Sequence, residues 1–121
     1  MPPSELQQLI QASAGLLYPS ETDAPFDPFH WPAGPVQSAQ EAIAAHAGKA
    51  QKIEQMALGD FFAELDASDD AGRFDQLRRT LQSQLTDVRV LRVGAVRINV
   101  YLIGKTRDGD WAGLHTISVE T

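Results

Sequence analysis

Three closely spaced runs in the last third of the chain constrain the fold more than any other feature. VRVLRVG (88–94) and VRINVYLI (96–103) are rich in β-branched residues, and a third run spans about 112–119. Branched side chains suit a pleated, half-buried surface. In the second run Val96, Ile98, Val100 and Leu102 alternate with Arg97, Asn99, Tyr101 and Ile103, the period of a strand. Asp108-Gly109, just before the third run, supplies the backbone freedom of a tight hairpin. The three runs therefore read as an antiparallel meander.

The preceding two thirds read mainly as helices. Ser4 with Gln7 forms a capping box, Leu6, Leu9 and Ile10 recur at helical spacing, and Gly15 suits the position just past a helix over 5–14. Residues 18–35 hold five of the seven prolines, predicting a stiff, ordered loop with a short strand near Phe29–Trp31. A second capping box, Ser38 with Glu41, opens an alanine-rich helix that Gly48 should close. Residues 50–58 read as a strand, and Asp60 as the cap of a short turn carrying Phe61, Phe62 and Leu65. Ser68, Asp69 and Asp70 then open a longer helix with Phe74, Leu77, Leu81 and Leu85 on one stripe. Its acidic start and the later Arg78 and Arg79 agree in sign with the helix dipole. Gly104 and Gly113 read as strand-end or bulge glycines. Helices covering a C-terminal meander make an α+β fold, and 121 residues suit a single domain over 1–121.

Charge narrows the function classes. The net charge is −6, and before Lys49 there is no Lys or Arg, whereas Glu5, Glu21, Asp23, Asp27 and Glu41 lie there. Direct nucleic-acid binding is disfavoured, because phosphate neutralisation by a basic patch supplies most of such affinity. An acidic face suits a basic protein partner, or serves solubility alone. Cysteine is absent, which removes disulfides, thiolate metal sites and thiol nucleophiles. The chain lacks an apolar run long enough to span a membrane and a basic-then-apolar leader, so a cytoplasmic protein is expected.

Catalytic patterns are weak. His30, His46 and His115 show no ligand spacing, no GxSxG, P-loop or GxGxxG occurs, and Asp69-Asp70 sits where a helix start favours acids. The sequence predicts no enzyme and no cofactor of its own. A weaker alternative is a pocket built around His30, Trp31 and Tyr101.

Two features remain. Ser20-Glu21-Thr22-Asp23 lies between Pro19 and Pro25, and rigid flanks present an acid with little ordering entropy left to lose. The same residues equally suit a serine-started turn with a solvated glutamate. The other feature is the end of the last run, Glu120-Thr121, where Thr121 offers hard oxygen donors of the kind Mg²⁺ prefers, unless a strand simply ends there.

ASAGLLYPSE (12–21) with PFDPFHW (25–31), and LRVGAVRINVYLIGKTRDGDWAGLHTISVET (91–121), closely resemble the nuclease A inhibitor family. Residues 33–86 match only in helical pattern and in DFF at 60–62. The resemblance implies a three-layer α/β/α sandwich similar to the plant pathogenesis-related proteins. It also implies inhibition of a non-specific, Mg²⁺-dependent DNA/RNA endonuclease of the ββα-metal type by a free monomer. Carried over residue by residue, Glu21 would pair with a nuclease arginine and Thr121 would reach the nuclease's Mg²⁺. Ser20, Asp23 and Glu120 complete the expected partner-binding set. One departure stands out: the family pattern places a contacting tryptophan before the long C-terminal helix, and LDASDDAGRFD (65–75) has none. The alternative is an acidic interaction domain of the same fold that no longer binds a nuclease.

Overall fold

A computed structural model describes residues 4–20, 23–32, 38–47, 53–68 and 70–120. In chain order the elements are α1 (Ser4–Ser13), β1 (Leu17–Tyr18), β2 (Ala24–Pro25), β3 (Asp27–Trp31), α2 (Ala39–Ala47), β4 (Ile53–Met56), α3 (Leu58–Ala63), α4 (Ala71–Gln84), β5 (Thr86–Val93), β6 (Arg97–Lys105) and β7 (Trp111–Val119). Mixed helix and strand content is as expected, and β5–β6–β7 is the antiparallel meander. The β6–β7 turn closes with the Gly109 N–H donating to the Thr106 carbonyl (3.0 Å), and Gly109 has φ +87°. Val96 falls outside the strand alternation; it is exposed and precedes β6.

Two further strands complete a five-stranded antiparallel sheet in the order β3-β7-β6-β5-β4. The predicted strand at 50–58 is β4. The predicted strand near Phe29–Trp31 is longer and forms the opposite edge. Pro28 is tolerated because an edge strand has one side that makes no ladder bonds. Between Thr86 and Arg89 the register shifts, and Asp87 takes φ +53° there, as a bulge residue.

Alternation along β6 sorts the core into two layers. Ile98, Val100 and Leu102, with Val90, Ala112 and Leu114, face Leu9 of α1, Phe61 and Phe62 of α3, and Phe74, Leu77 and Leu81 of α4. Tyr101 and Ile103, with Leu91, Val93 and Trp111, face Ala39, Ala42 and Ile43 of α2. Both faces of β6 are thus buried, which is why its two alternating sets are both largely apolar.

Helix ends follow local chemistry in part. Gly15 has φ +76° just past α1, and the Glu41 N–H donates to Ser38 Oγ (3.1 Å) at the start of α2. The expected stop at Gly48 lies outside the described residues. Ser4 is already helical, and its hydroxyl turns to the Glu5 carboxylate. Glu5 is buried and accepts the Arg107 N–H (2.8 Å), pinning α1 to the β6–β7 turn. That backbone donor holds its carboxyl below the usual range.

Three helix-end expectations are corrected. Asp60 lies inside α3, whose cap position is Ala57 without a side-chain bond. Asp70 caps α4 by position only, while the Ser68 hydroxyl accepts the Asp70 N–H (2.9 Å). Arg78 and Arg79 lie mid-helix and pair with Asp75 (2.7 and 3.0 Å) rather than with the last carbonyls. Gly104 is the next-to-last residue of β6 and lies opposite the β5 bulge, as expected, whereas Gly113 is neither an end nor a bulge residue and lies in paired register on both sides.

On the α2 side His115 donates from Nε2 to Asn99 Oδ1 (2.9 Å). Burial pushes the imidazole pKa down, opposed by the nearby Asp27 and aided by Arg97. Below its ordinary value near 6.5 the unfolded chain takes up the proton first, so stability falls with pH there and is fully present above it. Denaturation midpoints at pH 7.5 and 5.5 should therefore differ more in the unaltered chain than in His115→Gln. Equal differences would exclude His115 as the source.

Candidate functional site

The proline-flanked acidic loop is not a free excursion. Leu17 and Tyr18 pair with Pro25 and Ala24, so β1 and β2 form a two-stranded ribbon whose five-residue connection is 19–23. Pro19 opens the connection and Pro25 ends β2, so neither interrupts a central ladder. The ribbon lies along β7, where the Thr116 hydroxyl donates to the Ala24 carbonyl (3.5 Å).

One contact joins the two regions singled out in the sequence. The Val119 N–H donates to Ser20 Oγ at 3.1 Å, a bond between residues 99 positions apart. The loop that carries Glu21 and the strand end that leads to Thr121 therefore emerge side by side. Glu21 and Thr121 themselves lie outside the described residues. Asp23 is exposed on the same ribbon.

Glu120 is more constrained than a solvated contact residue. Its N–H donates to the Val96 carbonyl (2.9 Å), beyond the last pair of the ladder, Arg97 with Val119. Its carboxylate accepts the Ser118 hydroxyl (2.6 Å) and Nη2 of Arg92. Tyr18 borders this cluster; burial first, and then the charge of Glu64, raises its phenol pKa, so the ring remains neutral.

Arg92 and Ser118 escaped the sequence reading, although a signal existed. Val90 and Arg92 share one face of β5, and Leu114, Thr116 and Ser118 share the corresponding face of β7. An arginine at an inward position of a strand requires a buried acceptor, and polar residues at the end of an apolar stripe supply its surroundings.

The histidine and aromatic residues of the alternative pocket pack against other groups. Trp31 stacks on His46 with centroids 4.1 Å apart and lies 5.8 Å from Tyr101, while His30 Nε2 is 2.9 Å from Asp110. The cavity of about 120 Å³ on that side of the sheet is lined by Ser38, Ala39, Asp87, Arg89, Lys105 and Trp111, none of the three proposed residues. Among the described residues no three His, Asp or Glu side chains converge as a metal site. No helix among them is long and apolar enough to cross a membrane.

Compared with models of protein families, residues 4–121 match the one described as nuclease A inhibitor-like protein. The chain finds no match among curated proteins.

Proposed function

This chain belongs to the nuclease A inhibitor-like family, and from that premise we propose that it inhibits a non-specific, Mg²⁺-dependent DNA/RNA endonuclease of the ββα-metal type. The observation that carries the reading is the Val119–Ser20 hydrogen bond, which sets the acidic loop beside the end of β7. A nuclease cleft is shaped and charged to hold phosphate, and closely spaced inhibitor oxygens exploit the same field. Glu21 is assigned to a nuclease arginine and Thr121 to the nuclease's metal, with Ser20 and Asp23 flanking them. An oxygen of Thr121 at that metal would take the place of a bound water or substrate oxygen, so that the metal would no longer organise attack on the phosphodiester.

The net charge of −6 supports the same partner class by steering encounter with a basic cleft. The helices packed against both faces of the sheet support the family's α/β/α sandwich as the architecture. The inhibitor contributes binding groups only and carries out no chemistry of its own.

Plasmid digestion by a ββα-metal nuclease, with and without an equimolar amount of this protein, tests the proposal. Undegraded plasmid is the expected result. Complete digestion at several-fold excess, against the nuclease encoded in the same genome, would leave an acidic docking domain as the better reading.

A further inference from the structure

Arg92 has no role in the contacts assigned so far, and its placement is unusual. It lies on β5 opposite Val100 of β6, and Val100 lies opposite Thr116 of β7. Its partner Glu120 follows β7, so the guanidinium reaches over the whole of β6, a span of roughly two strand spacings of about 4.8 Å each. The Arg92 side chain is 22 % exposed and that of Glu120 47 %. Nε of Arg92 is buried without an acceptor among the described residues, so Glu120 is its anchoring partner.

We infer that Arg92 is a positioning residue for the end of β7: by gripping the Glu120 carboxylate it holds residue 120, the residue that carries Thr121, in one place. The inference rests on the inhibitory reading for its consequence, though not for the geometry. Residues past the last pair of a ladder fray unless they are tied down. After the last ladder pair, residue 120 is tied three times, by the Val96 carbonyl, the Ser118 hydroxyl and Arg92. The first tie fixes the main chain; the other two stop the Glu120 side chain from rotating and carrying residue 120 with it. Ser20 holds the preceding amide, so the same small network orders the acidic loop and the strand end together. Glu120 thereby moves from an expected partner contact to an internal one.

An ion pair with one partner this exposed adds little to folding stability. Its removal should therefore show in binding rather than in the denaturation midpoint. Losing the order of one residue at the end of β7 is worth about tenfold in affinity, the entropy that binding must then supply.

The test is a nuclease titration of four proteins: the full chain, Arg92→Met, the chain lacking Thr121, and both changes combined. Arg92→Met should weaken inhibition about tenfold in the full chain and add nothing once Thr121 is absent. Arg92→Lys should recover part of the loss. An equal loss in both backgrounds would mean a merely structural arginine and overturn the inference. So would a deletion that weakens inhibition while Arg92→Met does not, an outcome that leaves the inhibitory reading standing. If Arg92→Met fails to fold by circular dichroism, Glu120→Ala carries the same cycle.

A second measurement needs no nuclease. The Glu120 backbone amide, which donates to the Val96 carbonyl, should lose order in Arg92→Met by ¹⁵N relaxation. Unchanged order overturns the positioning role, whereas absent protection by the full chain overturns the inhibitory reading.

Discussion

Replacing Gly113 with alanine is expected to destabilise the fold by about 3 kcal/mol or more, the largest loss expected for a methyl addition at any of the described glycines. Gly113 lies in β7 between Phe29 of β3 and Ile103 of β6. A Cβ built there would sit 1.8 Å from the Leu102 carbonyl oxygen and 2.9 Å from its carbon. Those are backbone atoms of the central strand, so no side-chain rotation can relieve the clash. The two strands must separate, at the cost of ladder bonds and of the packing on both sheet faces.

Gly72 provides the contrast. It lies in the first turn of α4 with nothing within 4 Å of a built Cβ, so Gly72→Ala should stabilise by about 0.5–1 kcal/mol through helix propensity. Urea midpoints of the two variants should move in opposite directions. A loss below about 1 kcal/mol for Gly113→Ala would show that β6 and β7 can slide apart freely.

Gly113 also shows where sequence reading reaches its limit. A glycine in a strand pattern signals a bulge, an end or a close approach, and only the register of β6 against β7 selects the third. Features whose cause is local were legible: the meander from its alternation, the α2 start from Ser38, the α1 stop from Gly15, and the hairpin from Asp108-Gly109. The β1–β2 ribbon was not, because two-residue strands carry no period and Pro19 and Pro25 argue for a loop. Asp60 misled for a related reason. It has a cap's chemistry, but the helix starts earlier, at Leu58, where Leu58 and Phe61 are buried.

The candidate site was legible only in outline. Ser20 and the final residues were singled out separately, and nothing in a linear pattern says that residues 20 and 119 share a hydrogen bond. Arg92 was hidden for the opposite reason. It stands among strand residues of good β propensity, and its meaning depends on which face of β5 points inward. That is a property of the whole sheet, fixed by strand order and register.

Glu21→Ala should produce the largest effect on binding, weakening inhibition by about 2–5 kcal/mol, or roughly 30-fold to several thousand-fold. The magnitude comes from the nuclease side of the contact. An arginine built to hold a phosphate loses water when the cleft is filled, and truncating its acidic partner leaves it desolvated and unpaired. Glu21→Gln should recover only a small part, because an amide oxygen offers one acceptor without charge to a two-pronged donor. The residue lies in the connection of the β1–β2 ribbon, whose neighbours Tyr18, Ala24 and Ser20 are held by pairing and by β7. The denaturation midpoint should therefore stay within about 0.5 kcal/mol of the unaltered chain. Combining Glu21→Ala with loss of Thr121 should cost less than the sum of the two, since the Ser20–Val119 bond couples the residues that precede them. Inhibition constants for the full chain, Glu21→Ala, the chain lacking Thr121 and the combined change decide it. An unchanged constant for Glu21→Ala would remove the acidic loop from the interface.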